Sequence, residues 1–445
     1  MTPMLNRAGI LEPIDPIAAG WPETRDLLRA PHWTDNEAIA MFDFASRDYI
    51  RSYQYRRIGR MIGHARANSP WWAHHLRDVP DGGDAGWSDL PLMDRVAFRE
   101  AAAAGAVPTP VEHGPVRSGT TSGSSGIPMA FHVTGLFARL NRNHHNSDLF
   151  RQGFDVDRAF AAIEPVRRSG DSSGPLRRTT PSYFHEAKKF SVEDHARWLS
   201  VVRPAYLTTL PTLLDGIVQA FEEGVAKPPR IDKIITYAET LSPDVRRRTQ
   251  EVLGARVIDR YSTEETGPVA FQCPIHDDLH HVVVTNVLLE ILREDGEPAP
   301  EGEIGRVFVT SMNNWASPAV RYELGDLAAW RRSCRCGFQG MTLEQMLGRK
   351  RFLIRLPNGE RTYVGLPAKA WMKVAPILEK RIVQTAPGVI RAEVVLDRPL
   401  TDDEAVGLRD MLAREIHPAI RYEVEQVDRI DWGPSYKRQD VVSLI

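Results

Sequence analysis

The sequence predicts an α/β fold: a large N-terminal domain of mixed sheets and helices, followed by a small α+β C-terminal domain. Three observations carry this expectation. Between residues 159 and 259, short apolar β-branched runs alternate with helical stretches, the pattern of a largely parallel sheet. Past residue 280 the texture changes to closely spaced strand-like runs separated by turns, a smaller and mostly antiparallel unit. A chain of 445 residues is too long for one ordinary core, so more than one domain is expected. The boundary falls near Gly348-Arg349-Lys350-Arg351, giving domains 1–347 and 348–445, the second a compact α+β unit.

Taken in order, residues 35–76 show helical spacing of apolar side chains (Ile39, Met41, Phe42, then Ile50, Tyr53, Ile58, Met61), and Pro70 ends the region. Leu90-Pro91-Leu92-Met93-Asp94-Arg95 reads as a turn entering a short helix. Strands are expected at 159–163, 205–209, 233–237 and 256–259, with helices at 213–223 and 243–253. Further strands are expected at 282–292, 305–310 and 327–330, and Glu294-Asp295-Gly296-Glu297-Pro298 is a turn.

Bulk composition narrows the function classes. Apolar content of 42% and charged content of 26% are those of a soluble globular protein. A net charge of −2 gives no electrostatic case for nucleic acid or for an anionic membrane. No apolar run is long enough to span a bilayer, and no signal-like stretch follows Met1. The three cysteines, Cys273, Cys334 and Cys336, are an odd number in a long chain, so a disulfide framework is not expected. A cytoplasmic protein follows, with cysteines that bind metal or stay reduced.

The segment Arg117-Ser118-Gly119-Thr120-Thr121-Ser122-Gly123-Ser124-Ser125-Gly126-Ile127-Pro128 is the most informative in the chain. Glycines let backbone approach a ligand closely, and hydroxyls with free N–H groups can wrap a phosphate tail. It is not the kinase-type loop, because Ile127, Pro128 and Met129 stand where a Lys-Ser/Thr pair is required. A flexible Ser/Gly linker is the bland alternative. Tyr261-Ser262-Thr263-Glu264-Glu265-Thr266-Gly267 follows a strand, where ligands of open α/β sheets bind. Its ring can stack on a base and its carboxylate can hold Mg²⁺. Arg321-Tyr322-Glu323-Leu324-Gly325-Asp326 places an Asp after Gly on a tight turn, able to accept both hydroxyls of a ribose. Gly348-Arg349 and the Lys437 of Gly433-Pro434-Ser435-Tyr436-Lys437-Arg438 complete the series.

In this order and spacing the five segments resemble the adenylate-forming superfamily (acyl-CoA synthetases, adenylation domains, luciferases), in particular its phenylacetate–CoA ligase-like branch. The resemblance implies roles. Thr120, Thr121, Ser122, Gly123, Ser124, Ser125 and Gly126 would form the phosphate loop. Ala238, Glu239 and Thr240 would lie at the adenine-contacting strand end, with Tyr261 and Ser262 beside the nucleotide. Glu265 would be the magnesium carboxylate, Asp326 the ribose ligand, Arg349 the hinge arginine and Lys437 the mobile catalytic lysine. Weaker likeness extends to His64-Ala65, Ser69-Pro70-Trp71-Trp72, Leu90-Pro91 and Gly302-Glu303-Ile304-Gly305. The chain departs from the family at Ser262, which replaces glycine, and at Glu264, which replaces a phosphate-contacting Ser or Thr. It departs again at Arg351 and at Ser435-Tyr436.

Cys334-Arg335-Cys336-Gly337 is a tight thiolate pair, and Cys273 has His276, His280 and His281 nearby. Three Cys and one His make a normal structural zinc set. The resemblance points to His280 as the fourth ligand; the Cys273-x-x-His276 spacing makes His276 its rival. Asn143-His144-His145-Asn146 lies where relatives place residues near the acyl pocket, or it is a polar helix surface.

The expected reaction is ATP-dependent activation of a carboxylic acid to acyl-AMP, followed by transfer to CoA. Transfer to an amine is the main alternative, and an inactive nucleotide-binding homologue is a third. ATP, Mg²⁺ and structural Zn²⁺ are the implied cofactors, with CoA as co-substrate. The acid is aromatic only by family likeness. No nucleic-acid or membrane partner is expected. A homodimer is the assembly considered, and residue spacing does not fix it.

Overall fold

The computed structural model describes residues 39, 41–42, 45–79, 87–120, 129–165, 181–347, 353–364, 366, 368–431 and 441–445. The core of the hydroxyl-rich loop (121–128), Arg349 and Lys437 lie outside the described residues. Two compact units are formed, and neither is a continuous stretch of chain. One comprises Met1–Thr121, Ala130–Phe154 and Arg260–Leu347; the other comprises Ser122–Met129, Asp155–Asp259 and Gly348–Ile445.

In the first unit, helix Arg47–Asn68 starts at Ser46, whose hydroxyl accepts from Tyr49 N. Pro70 does end it, and also opens a second helix, Pro70–His75, capped by Ser69. Proline suits that first helical position because its missing N–H would have had no partner there. Asp94 caps Arg95–Ala103 in the same way. Strands Val116–Thr120 and Ala130–Thr134 pair antiparallel, Thr120 opposite Ala130, so the hydroxyl-rich segment connects two paired strand ends. Gly119 has to be glycine: a Cβ there would lie 2.5 Å from the Phe131 ring. Helix Gly135–Arg151 follows, capped by Thr134.

The sheet of this unit is antiparallel throughout. Its order is Val287–Leu292, Gly305–Ser311, Tyr322–Arg331, Thr342–Leu347, His280–Val282, Gly267–Gln272 and then residues 260–263. The strand expected at 282–292 is broken into two. The break is a turn in which Asn286 N donates to Val283 O and Asn286 Nδ2 donates to Thr266 O and Pro268 O. An unbroken apolar run conceals such a turn, because valines fill the buried positions on both sides of it.

In the second unit, Ser182–Glu186, Phe160–Glu164, Tyr206–Thr209 and Lys233–Tyr237 pair parallel in that order, as the strand–helix alternation predicts. Helices Val192–Val202, Pro211–Glu222 and Pro243–Leu253 supply Leu199, Leu213, Leu214, Ile217 and Leu253 to a core with Leu207, Ile234 and Val257. The C-terminal residues have their own core around Trp371, Ile390, Leu408 and Leu412. Their sheet runs Arg421–Gln426, Val389–Val395, Glu379–Ala386, Val441–Ser443, and helix Asp402–Glu415 begins with a Thr401/Glu404 capping box. This is the α+β character expected of residues 348–445. Among the described residues, no helix is long and apolar enough to cross a membrane.

Candidate active site

Strand Arg256–Thr263 ends in the Tyr261 to Gly267 motif, and the first unit gathers three segments of the chain around that end. The Tyr261 hydroxyl donates to Asp326 Oδ2 at 2.7 Å, across 65 residues of sequence. Thr263 Oγ1 accepts from Thr266 N, and the two threonine hydroxyls lie 2.8 Å apart, closing the turn that carries both glutamates. That turn separates them: Glu264 is exposed and Glu265 is buried. Tyr322 Oη donates to Glu265 Oε1 at 3.4 Å, and Asn314 Nδ2 donates to Glu265 O. Burial, with Glu265 next, raises the Tyr322 phenol above its ordinary value, so it stays a donor.

Asp326 is not on the expected tight turn. It lies within strand Tyr322–Arg331, in a bulge. Between the pairs Arg306↔Leu327 and Phe308↔Glu323, the partner strand has only Val307 opposite Leu324, Gly325 and Asp326. Gly325 takes φ 76°, a left-handed conformation that glycine adopts without strain. Bulges re-aim side chains, and this one turns Asp326 towards Tyr261. Behind it, Arg321 is held from several sides: it pairs with both oxygens of Glu290 at 3.2 and 3.0 Å and donates to Leu90 O at 2.9 Å. The Leu90-Pro91 segment therefore braces the strand that presents Tyr322. Sequence reasoning gave Tyr322 and Asn314 no role; their neighbourhood with Glu265 arises only on folding.

Of the expected adenine-contacting residues, all in the second unit, Ala238 adopts φ 67° and is exposed. A non-glycine residue in that region is strained, and such strain gathers at ligand sites. Glu239 is buried, and its Oε2 accepts from Thr212 N at 3.1 Å. Helix Pro211–Glu222 begins after Leu210, which has no side-chain acceptor, so Glu239 supplies the missing cap from a distant strand end. Glu239→Ala should lower unfolding stability by about 1 kcal/mol. Denaturant titration checks this, and an unchanged midpoint would remove the capping role.

Asn143 and His144 are buried on helix Gly135–Arg151, so the segment is no polar helix surface. His144 Nδ1 lies 2.6 Å from Leu140 O and must donate to it; Nε2 then accepts from Thr285 Oγ1 at 2.9 Å. Burial lowers this imidazole to about 4, keeping it neutral.

The three cysteines do converge, but with a different histidine from the one expected. Cys273, Cys334 and Cys336 share a cluster with His281, their ligand atoms all within 4.8 Å of one another. His280 and His281 are successive residues of strand His280–Val282, and successive side chains leave opposite faces of a strand. Among the described residues, the histidine grouped with the three sulfurs is His281, so the sequence assignment to His280, with His276 as rival, is corrected. Cys334 Sγ is 3.7 Å from Cys273 Sγ, and Cys336 Sγ is 3.3 Å from His281 Nε2. Zn–S bonds of about 2.3 Å in a tetrahedron put neighbouring sulfurs about 3.8 Å apart, so the donor set fits zinc. Burial pushes the Cys334 thiol up to about 12. Phe42, Ile50, Leu279, Val284 and Phe338 enclose the cluster.

A family model described as AMP-binding enzyme matches residues 176–315. The phenylacetate–coenzyme A ligase of Thermus thermophilus is 23% identical over 408 residues, covering 83% of this chain and 90% of the relative. A 2-hydroxyisobutyryl-CoA ligase solved with its acyl-AMP and CoA superposes with a TM-score of 0.63 at 17% identity, over 90% of this chain and 91% of that one. Residues 176–315 thus match the AMP-binding enzyme family, and the chain shares the fold of that ligase. The same ligase in its postadenylation state gives a TM-score of 0.59 at 18% identity, over 89% of this chain. Tyr261 and Asp326, from motifs far apart in the sequence, are neighbours in this structure.

Proposed function

We propose that this adenylate-forming chain activates a carboxylic acid with ATP, giving acyl-AMP and pyrophosphate, and then transfers the acyl group to CoA. The observation that carries the reading is the Tyr261–Asp326 contact beside a buried Glu265: a polar cluster suited to a ribose and a phosphate-bound cation, drawn from distant segments. The curated phenylacetate–CoA ligase and the ligase solved with acyl-AMP and CoA support the CoA step.

The carboxylate attacks the α-phosphorus in line, and both reactants are anionic. Catalysis is therefore positioning and charge neutralisation. Asp326 would hold the ribose, with Tyr261 and Ser262 beside the base. The backbone of Ala238, Glu239 and Thr240 would face the adenine, since the Glu239 carboxylate is engaged on Thr212. Glu265 offers hard oxygen donors of the kind magnesium takes and would hold it, offsetting phosphate charge. The loop of Thr120, Thr121, Ser122, Gly123, Ser124, Ser125 and Gly126 would hold the β- and γ-phosphates. Residues 348–445 would act as a lid on the Arg349 hinge, bringing Lys437 between carboxylate and α-phosphate. Cys273, His281, Cys334 and Cys336 would bind a structural zinc, closed to substrate because all four positions are protein atoms.

Lys437→Ala should lower acid-dependent pyrophosphate exchange by about 10²–10³-fold, the usual cost of one preorganised charge at a reacting centre. ATP binding should change little. Exchange at the wild-type rate would refute the assignment. The reading as a whole is tested by pyrophosphate exchange across a panel of aromatic and short hydroxy acids, then by CoA thioester detection. No exchange with any acid would sink it, and acyl-AMP formation that CoA fails to discharge would sink its second half.

A further inference from the structure

We propose that Tyr261 is a positioning residue for ribose recognition: its phenol sets the Asp326 carboxylate so that both oxygens face a vicinal diol. This rests on reading the site as a nucleotide site.

A carboxylate rotates freely about its last bond, because that torsion has no deep wells. Asp326 also sits in a bulge, where the ladder that would stiffen its backbone is interrupted. Something else must fix its plane, and the 2.7 Å bond from the Tyr261 hydroxyl to Oδ2 does so. A carboxylate has about four lone-pair sites. The phenol takes one, which leaves enough for two ribose hydroxyls on the two oxygens. It thus orients the acceptor without consuming it.

The tyrosine is itself anchored. Tyr261 pairs with Ala270 in the ladder, and Arg260 pairs with Phe271. Successive side chains leave opposite faces. Arg260 accordingly points to helix Gly135–Arg151, where its Nε bonds Asp148 Oδ2 at 2.7 Å and its Nη2 donates to His145 O at 3.1 Å. Tyr261 points the other way, to Asp326. The strand end cannot twist without breaking the arginine's contacts, so the phenol reaches Asp326 from a fixed place.

The experiment is calorimetric binding of ATP, 2′-deoxy-ATP and 3′-deoxy-ATP, each with Mg²⁺, to the full-length wild type, Tyr261→Phe, Asp326→Asn and the double variant. Tyr261→Phe keeps the ring, so stacking survives. Wild type should prefer ATP over either deoxynucleotide by about tenfold or more, the scale of a hydrogen bond to a charged group. Tyr261→Phe should cut that preference to about threefold or less, with the Kd for the deoxynucleotides moving least. Asp326→Asn should abolish it, and adding Tyr261→Phe should then change nothing further. A merely structural tyrosine would weaken all three nucleotides alike. Wild-type preference retained in Tyr261→Phe overturns the proposal. So does ATP binding by wild type without any ribose preference, which leaves the nucleotide reading standing. No nucleotide binding by wild type overturns both.

Discussion

His281→Ala is expected to empty the protein of zinc, whereas His280→Ala leaves about one zinc ion per chain in place. The expectation follows from geometry: the ligand atoms of Cys273, Cys334, Cys336 and His281 lie within 4.8 Å of one another. Two of the three thiols, Cys273 and Cys334, are buried, and burial holds both in the protonated form. A cation reverses that preference and is released only when the cage unfolds. The stabilisation follows mass action, on the order of 4 kcal/mol when free metal stands a thousandfold above Kd. The His281 variant, like the Cys334→Ser/Cys336→Ser pair, should therefore unfold at clearly lower temperature than wild type, and a chelator should lower wild type to the same level. Elemental analysis of purified protein decides it: wild type without zinc, or zinc retained in His281→Ala, sinks the site.

The same cluster shows where sequence reasoning stops. The pairing of Cys334 with Cys336 is local and legible. Which of two adjacent histidines joins them depends on the face each presents, and one residue of register exchanges the faces. Likewise Tyr261, Glu265 and Asp326 were legible as motif residues because each is embedded in a distinctive short segment. That the second of the paired glutamates is the buried one depends on the Thr263–Thr266 turn. The Gly325-Asp326 bulge was read as a turn because the two share a glycine and a left-handed φ, and only the partner strand distinguishes them. The parallel strands were read well because strand–helix alternation is itself a sequence pattern. The capping of helix Pro211–Glu222 by Glu239 has no sequence signature, since the acceptor comes from another strand end.

Asp148→Ala should be strongly destabilising. The Asp148 side chain is fully buried and that of Arg260 is only 10% exposed, and their charged atoms are 2.7 Å apart. The guanidinium has further partners in His145 O and the Phe271 ring, 5.4 Å away. Gln152 Nε2 ties the helix to Gln272 O as well. Nothing in the local sequence of either partner announces the pair, which spans 112 residues. Removing the carboxylate leaves a buried guanidinium with no counter-charge, a loss of about 3–5 kcal/mol. The cost arises from the orphaned charge more than from the lost attraction, and this has a consequence. Asp148→Ala combined with Arg260→Met, an apolar side chain of similar length, should recover much of the stability that the single variant loses. Nucleotide binding should recover less, because methionine cannot hold the strand end that presents Tyr261 to Asp326. Urea denaturation of wild type and the two variants, with ATP binding measured on each, tests both halves. A single variant as stable as wild type would show that the ion pair is not what locks this strand to the helix. A double variant that regains full ATP affinity would show that apolar packing alone positions Tyr261.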